Sequence, residues 1–205
     1  MSELKPFADF HMDVLKEVGN IGAGHAATAL SRLLNKPVDM LVPTVRMVPF
    51  EEISNSVGGS EQVVIAIYLR VEGEAPGNIF FILSQESAKK MLINLVGIEV
   101  KNEDSYSEME FSALNEIGNI LAGSYLTSLA DFTNLYMVPT VPSLAIDMAG
   151  AILSYGLMQY GEMGDHALFI DTKFLDGVDE IEGHFFLIPD PESFQKIFSA
   201  LGVSL

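Results

Sequence analysis

The chain has 205 residues, 49% of them hydrophobic, and 11 lysine and arginine against 28 aspartate and glutamate give a formal charge of −17. That length and hydrophobicity supply a proper core and exclude disorder. The acidic balance argues against nucleic acid and an anionic membrane surface as partners, since both need a cationic footprint. Zero cysteines exclude disulfides, thiolate metal sites and cysteine nucleophiles, and fit a reducing cytoplasm.

Residues 1–10 lack the basic and then apolar pattern of a signal peptide. The longest apolar runs, such as residues 63–69, are strand-length and too short to span a bilayer. The expectation is an acidic, soluble, cytoplasmic protein without membrane insertion.

Asp9 reads as the N-cap of a helix to about Leu34, with Leu15, Val18, Ile21, Ala26, Ala29, Leu30 and Leu33 as its apolar face. Asn35 suits a left-handed cap and Pro37 stops continuation. The proline-punctuated segment 38–49 follows, then strand-like runs at 63–71 and 78–83. A helix capped by Ser84 ends at Gly97. The order then repeats. Ser107 with Glu110 three residues on forms a capping box for a helix to about Phe132, which meets Asn134. Segment 136–148 is again apolar and proline-punctuated. Strands at 167–174 and 184–188 join across Asp176-Gly177, and Asp190-Pro191 opens a helix ending at Gly202.

The repeat is direct in the sequence. Glu17 to Leu30 and Glu116 to Leu129 stand 99 residues apart and share eight of fourteen positions. The fold expected is therefore α+β: a single domain over residues 1–205 with an internal pseudo-twofold repeat (about 9–98 and 107–203). An antiparallel sheet flanked by helices forms its frame. The acidic linker, residues 99–107, is too short to separate two independent domains.

On a helix, Asp13, Glu17, Asn20 and Gly24 form one stripe, and Ser112, Glu116, Asn119 and Gly123 form its copy. A carboxylate and a carboxamide thus sit one turn apart beside a glycine. Glycine inside a helix costs about 1 kcal/mol relative to alanine, and each copy keeps two, Gly19 with Gly24 and Gly118 with Gly123. Close approach of another backbone would justify that cost. Such a stripe on one helix is ordinarily a solvated face. Here Glu and Asn keep identity and spacing while neighbours change, Leu121 for Gly22 and Tyr125 for Ala26. Two acidic-amide faces of this kind suit docking a protein and positioning a water.

Other motifs carry less. Gly19-x-x-Gly22-x-Gly24 imitates a phosphate loop but lies inside a helical pattern and loses Gly22 in the second copy. Ser124 has no nucleophile-elbow context. His11, His25, His166 and His184 show no metal-ligand spacing. Phe80, Phe81, Phe185 and Phe186 read as sheet residues rather than a stacking platform. No metal site and no resident cofactor are expected.

The pattern Asp/Ser-x3-Glu-x2-Asn-x22-Pro, met by Asp13-Glu17-Asn20-Pro43 and by Ser112-Glu116-Asn119-Pro142, resembles the CheC/CheX/FliY phosphatases of chemotaxis over nearly the whole chain. The resemblance implies a CheC-like fold and hydrolysis of the phosphoaspartate on the response regulator CheY, with Mg²⁺ supplied by the receiver domain. It implies that Glu17 and Glu116 dock to the receiver and that Asn20 and Asn119 orient the in-line water. Asp13, Ser112, Pro43 and Pro142 would support the border. It further implies binding of the receptor deamidase CheD at the helical stretch 143–155, where Asp147 is a lone charge. The competing readings are a non-catalytic piece of a flagellar switch and an adaptor that sequesters CheD.

Overall fold

A computed structural model describes residues 9–100, 106–160, 166–176 and 179–202. Helix α1 spans Asp9–Leu34, so Asp9 is its first helical residue rather than its cap. The cap position itself lies outside the described residues. The helix stops at Asn35, whose φ of 51° is left-handed. The segment after Pro37 forms two short strands, β1 (Asp39–Leu41) and β2 (Val45–Pro49), then a 3-10 turn and the one-turn helix α2 (Ile53–Ser56). Strands β3 (Val63–Gly73) and β4 (Gly77–Ser84) form the expected hairpin. Ser84 then caps α3 (Gln85–Lys90) by accepting the Ser87 amide. A π-helical turn over Met91–Val96 closes this half at Gly97, φ 78°.

The second half follows the same order. Helix α4 (Glu108–Thr133) opens with the complete capping box: Ser107 accepts the Glu110 amide and Glu110 accepts the Ser107 amide. The Ser107 side chain, and after it the Ser107 amide, hold the Glu110 carboxyl below its ordinary value. Asn134, φ 55°, ends the helix. Strands β5 (Met137–Pro139) and β6 (Ser143–Met148) lead into α5 (Ala149–Tyr160). Strands β7 (His166–Asp176) and β8 (Asp179–Pro189) form the second hairpin; its Gly177 turn and most of the 99–107 linker lie outside the described residues. Helix α6 (Pro191–Ala200) starts on Pro191. Its N-cap residue, Asp190, makes no capping bond and instead holds Arg70 of β3 through two hydrogen bonds of 2.5 and 2.8 Å.

The sheet joins the halves by exchange. Its order is β1-β7-β8-β4-β3-β5, with β2 also on β7 and β6 also on β3. The short strands of each half therefore pair with the hairpin of the other. At the centre β4 meets β8 antiparallel, Phe80 opposite Phe186 and Phe81 opposite Phe185. Successive side chains alternate faces. Phe81 and Phe185 thus join the core beneath α1 and α4, while Phe80 and Phe186 join a second core with Ile53, Ile152 and Leu153 of α2 and α5. Both faces being covered explains why β4 is buried from Gly77 to Leu83. The phenylalanines are core residues, as their strand context predicts.

Candidate functional site

Helices α1 and α4 pack against the sheet and against each other. Their inner sides carry Leu15, Val18, Ala26 and Leu30, and Leu114, Ile117, Leu121, Tyr125 and Leu129, all at most 5% exposed. Ile21 and Leu33, expected on the apolar face, are 38% and 52% exposed, and Ala29 is half-buried. The burying stripe is narrower than the spacing suggested, because two helices share one sheet face.

The contact between the helices explains the exchanged residues of the repeat. A Cβ on Gly22 would lie 2.6 Å from the Tyr125 ring, so the α1 backbone sits directly on that side chain. The small pair Gly22 and Ala26 belongs to α1, and the large pair Leu121 and Tyr125 to α4; all four are buried. Size on one helix is matched by space on the other. The Tyr125 hydroxyl reaches Thr172 at 3.0 Å, and burial pushes its pKa up to about 12, partly opposed by that hydrogen bond. Nearby, Ser128 Oγ and His25 Nδ1 meet at 3.4 Å. Gly22 is thus a packing residue and no part of a phosphate loop.

The outer stripe lies opposite. Asp13, Glu17, Asn20 and Gly24 are exposed on α1; Ser112 and Glu116 are exposed on α4, with Asn119 and Gly123 half-buried. None of the polar side chains among them makes a hydrogen bond or ion pair within the described residues, so neither helix uses them to hold the fold together. Each stripe keeps a carboxylate acceptor and, three residues on, an amide able to donate and accept. Pro43 sits between β1 and β2, Pro142 between β5 and β6. Those strands contact α1 and α4 respectively, so each proline loop borders its own helix.

The two borders differ. Val42 is 4% exposed and packs near Gly19; its equivalent Val141 is 87% exposed. A Cβ on Gly19 would meet Val42 and Val45 at an ordinary 3.5 Å, whereas one on Gly118 would strike Ile67 at 2.7 Å. Helix α4 therefore lies closer to the sheet than α1. The loop beside it is pinned by Thr140, whose amide donates to the Arg70 carbonyl at 2.8 Å and whose hydroxyl accepts the Arg70 amide at 3.0 Å. Position 16 differs as well: Lys16 is exposed, while its equivalent Asn115 is half-buried with its amide oxygen enclosed and unpartnered. The valines are identical in sequence, so no sequence signal distinguishes them; the Lys16-to-Asn115 change is visible in the repeat.

Asp147 is not on a helix. The stretch 143–155 divides into β6 and the start of α5, and Asp147 stands on β6 opposite Val64, exposed, its carboxylate accepting the Met148 amide at 2.7 Å. Residues 143–147 alternate exposed and half-buried, the period of a strand rather than of a helix. Among the described residues no group of three or more His, Asp or Glu side chains could hold a metal ion. No described helix is long and apolar enough to cross a membrane. Of the histidines, His184 stacks on Phe169 and lies 3.2 Å from Asp171.

Known proteins share this sequence and this fold. The CheC-like family profile matches residues 10–47 and again 109–146, taking in both helices and both border prolines. The chain is 45% identical, over the full length of both proteins, to the CheY-P phosphatase CheC of Bacillus subtilis. Its fold matches the crystal structure of Thermotoga maritima FliY with a TM-score of 0.73 at 19% identity, covering 97% of this chain and 98% of that one. It also matches the FliM middle domain of H. pylori, TM-score 0.67 at 11% identity, over 94% and 99%.

Proposed function

The chain belongs to the CheC-like family, and from that premise we propose that it is a phosphatase acting on phosphorylated CheY. The single observation that carries this reading is the pair of stripes themselves. Glu17 with Asn20, and Glu116 with Asn119, stand at one spacing on two packed helices, facing outward with no partner among the described residues.

The chemistry follows from those groups. A phosphoaspartate is an activated acyl phosphate, and its hydrolysis needs a water placed in line behind the phosphorus more than it needs an acid or base. The asparagine amide accepts from that water and donates toward the phosphoryl oxygens, fixing the line of attack. The glutamate pairs with a receiver lysine and sets the depth of approach. Asp13 and Ser112 stand one turn before the glutamates, and Pro43 and Pro142 shape the border. The Mg²⁺ belongs to the receiver domain; this chain brings no metal and no covalent intermediate. On this reading the protein shares the cytoplasm with its substrate.

The test follows loss of the phosphoryl group from CheY-P in Mg²⁺ buffer, alone and with wild type, Asn20→Ala, Asn119→Ala or the double variant. Acceleration by wild type, partial loss in each single variant and abolition in the double support two working sites. Unchanged decay with wild type overturns the reading and leaves a non-catalytic, switch-like or CheD-sequestering adaptor.

CheD binding is a further part of the proposal, with Asp147 as its contact. Its support is the exposed position on β6, whose outer edge pairs with no other described strand. An Asp147→Lys variant that retains full affinity for CheD removes it.

A further inference from the structure

The eight positions shared by the two copies sort by helix face. Three point inward: Gly19, Ala23 and Leu30 are buried. The other five, Glu17, Asn20, Ile21, Gly24 and Thr28, fall within one sector of about 100° on the outside of the helix. Their equivalents are Glu116, Asn119, Ile120, Gly123 and Thr127. Of the six positions that changed, 25, 27 and 29 lie beside these faces, while 18, 22 and 26 are buried where the helix meets its neighbours. An inward face is held by the sheet. Among the described residues no side-chain bond to another element holds the polar residues of the outer one.

The glycines of that outer face have no structural cause. A Cβ built on Gly24 or on Gly123 meets nothing within 4 Å, in contrast to Gly22 and Gly118, where it would strike Tyr125 and Ile67 at 2.6 and 2.7 Å. Neither outer glycine has a positive φ, so alanine fits both backbones, and alanine is the better helix former. The Gly24 carbonyl also accepts Thr28 Oγ1 at 2.9 Å, within an unbroken helix. Beside the bare backbone stands Ile21, an isoleucine 38% exposed.

We infer that the receiver-docking surface continues for two turns beyond Asn20 and Asn119, and that Gly24 and Gly123 are positioning residues giving clearance for the partner's backbone. This rests on the phosphatase reading above and deepens it. The glutamate and the asparagine set two points of contact. The glycine, one turn further, lets the receiver settle close to the helix, with Ile21 as the apolar contact beside it in the first copy; its equivalent Ile120 is half-buried against the core. A side chain there would hold the receiver off the helix and weaken its docking.

The experiment compares wild type with Gly24→Ala/Gly123→Ala and Gly24→Gln/Gly123→Gln, reading thermal unfolding, kcat and KM for CheY-P, and affinity for beryllofluoride-activated CheY. Both variants are expected to unfold at higher temperature than wild type. KM and Kd should rise severalfold in the alanine variant and tenfold or more in the glutamine variant, with kcat within twofold. A glutamine variant whose KM and Kd stay within twofold of wild type overturns the inference while leaving the phosphatase reading intact. A wild type that binds activated CheY without hydrolysis defeats the phosphatase reading alone, and the variants' Kd then decides this one. A wild type that does neither defeats both.

Discussion

The two outward stripes are copies in sequence and unequal in structure. At the first, α1 stands far enough from the sheet for Val42 to tuck in beside Gly19, and Asn20 is open to solvent. At the second, α4 presses on Ile67 through Gly118, Val141 is turned outward at 87% exposure, and Asn119 is half-buried. A more enclosed amide loses less freedom when it engages its water, and an exposed valine beside it offers apolar area to a docked partner. The difference teaches that duplicated chemistry can diverge through its surroundings while the glutamate and the asparagine stay the same.

The largest test of that contrast removes the amides. The double variant Asn20→Ala/Asn119→Ala should lower the rate of CheY-P loss on the order of 10²-fold or more, the scale for a lost positioning group. Of the singles, Asn119→Ala should cost the larger share. Equal losses measured as initial rates of phosphoryl release would mean that the packing difference stops short of the chemistry.

Next in size is the packing itself. Gly118→Ala forces a methyl into Ile67 and should destabilise by about 1–3 kcal/mol. Gly19→Ala finds ordinary contact distances and should be neutral or stabilise by up to about 1 kcal/mol. Urea unfolding midpoints of the two variants check this directly. A smaller effect is expected at the start of α4. Ser107→Ala should cost about 1 kcal/mol. Because the Glu110 carboxyl is held below its ordinary value by Ser107, its contribution is present above the unfolded-state pKa and is lost as pH falls through the lowered one. Stability measured from pH 7 down through the carboxylate range should fall less steeply in the variant than in wild type. The smallest effect concerns the border. With the first site silenced by Asn20→Ala, Val141→Ser should raise KM for CheY-P severalfold and shift stability by less than about 0.5 kcal/mol, as expected of an exposed side chain.

Much of the local structure was legible because its causes are local. The capping box at Ser107 and Glu110, the left-handed stops at Asn35 and Asn134, the Pro191 helix start and both hairpins depend on residues a few positions apart, and all stand in the structure. The burial of Leu15, Val18, Ala26 and Leu30 followed from helical period. Ile21 and Leu33 did not, since the width of a buried stripe depends on what packs beside it.

The stripes themselves were equally legible. Asp13, Glu17, Asn20 and Gly24 on one helix recur as Ser112, Glu116, Asn119 and Gly123 on another, three of the four unchanged, and that is a property of the chain alone. Tertiary structure decided the rest. Only the fold sends β1 and β2 to β7, and β5 and β6 to β3, because strand partners are chosen between edges far apart in sequence. Placing Asp147 on such an edge strand removed it from the expected helix. Identical valines at 42 and 141 were separated into core and surface by how closely each helix approaches the sheet, and the two glycines at 22 and 24 into a packing contact and an open backbone. Residue type sets what a side chain can do; the distance to its neighbours, which no local pattern encodes, sets which of those things it does.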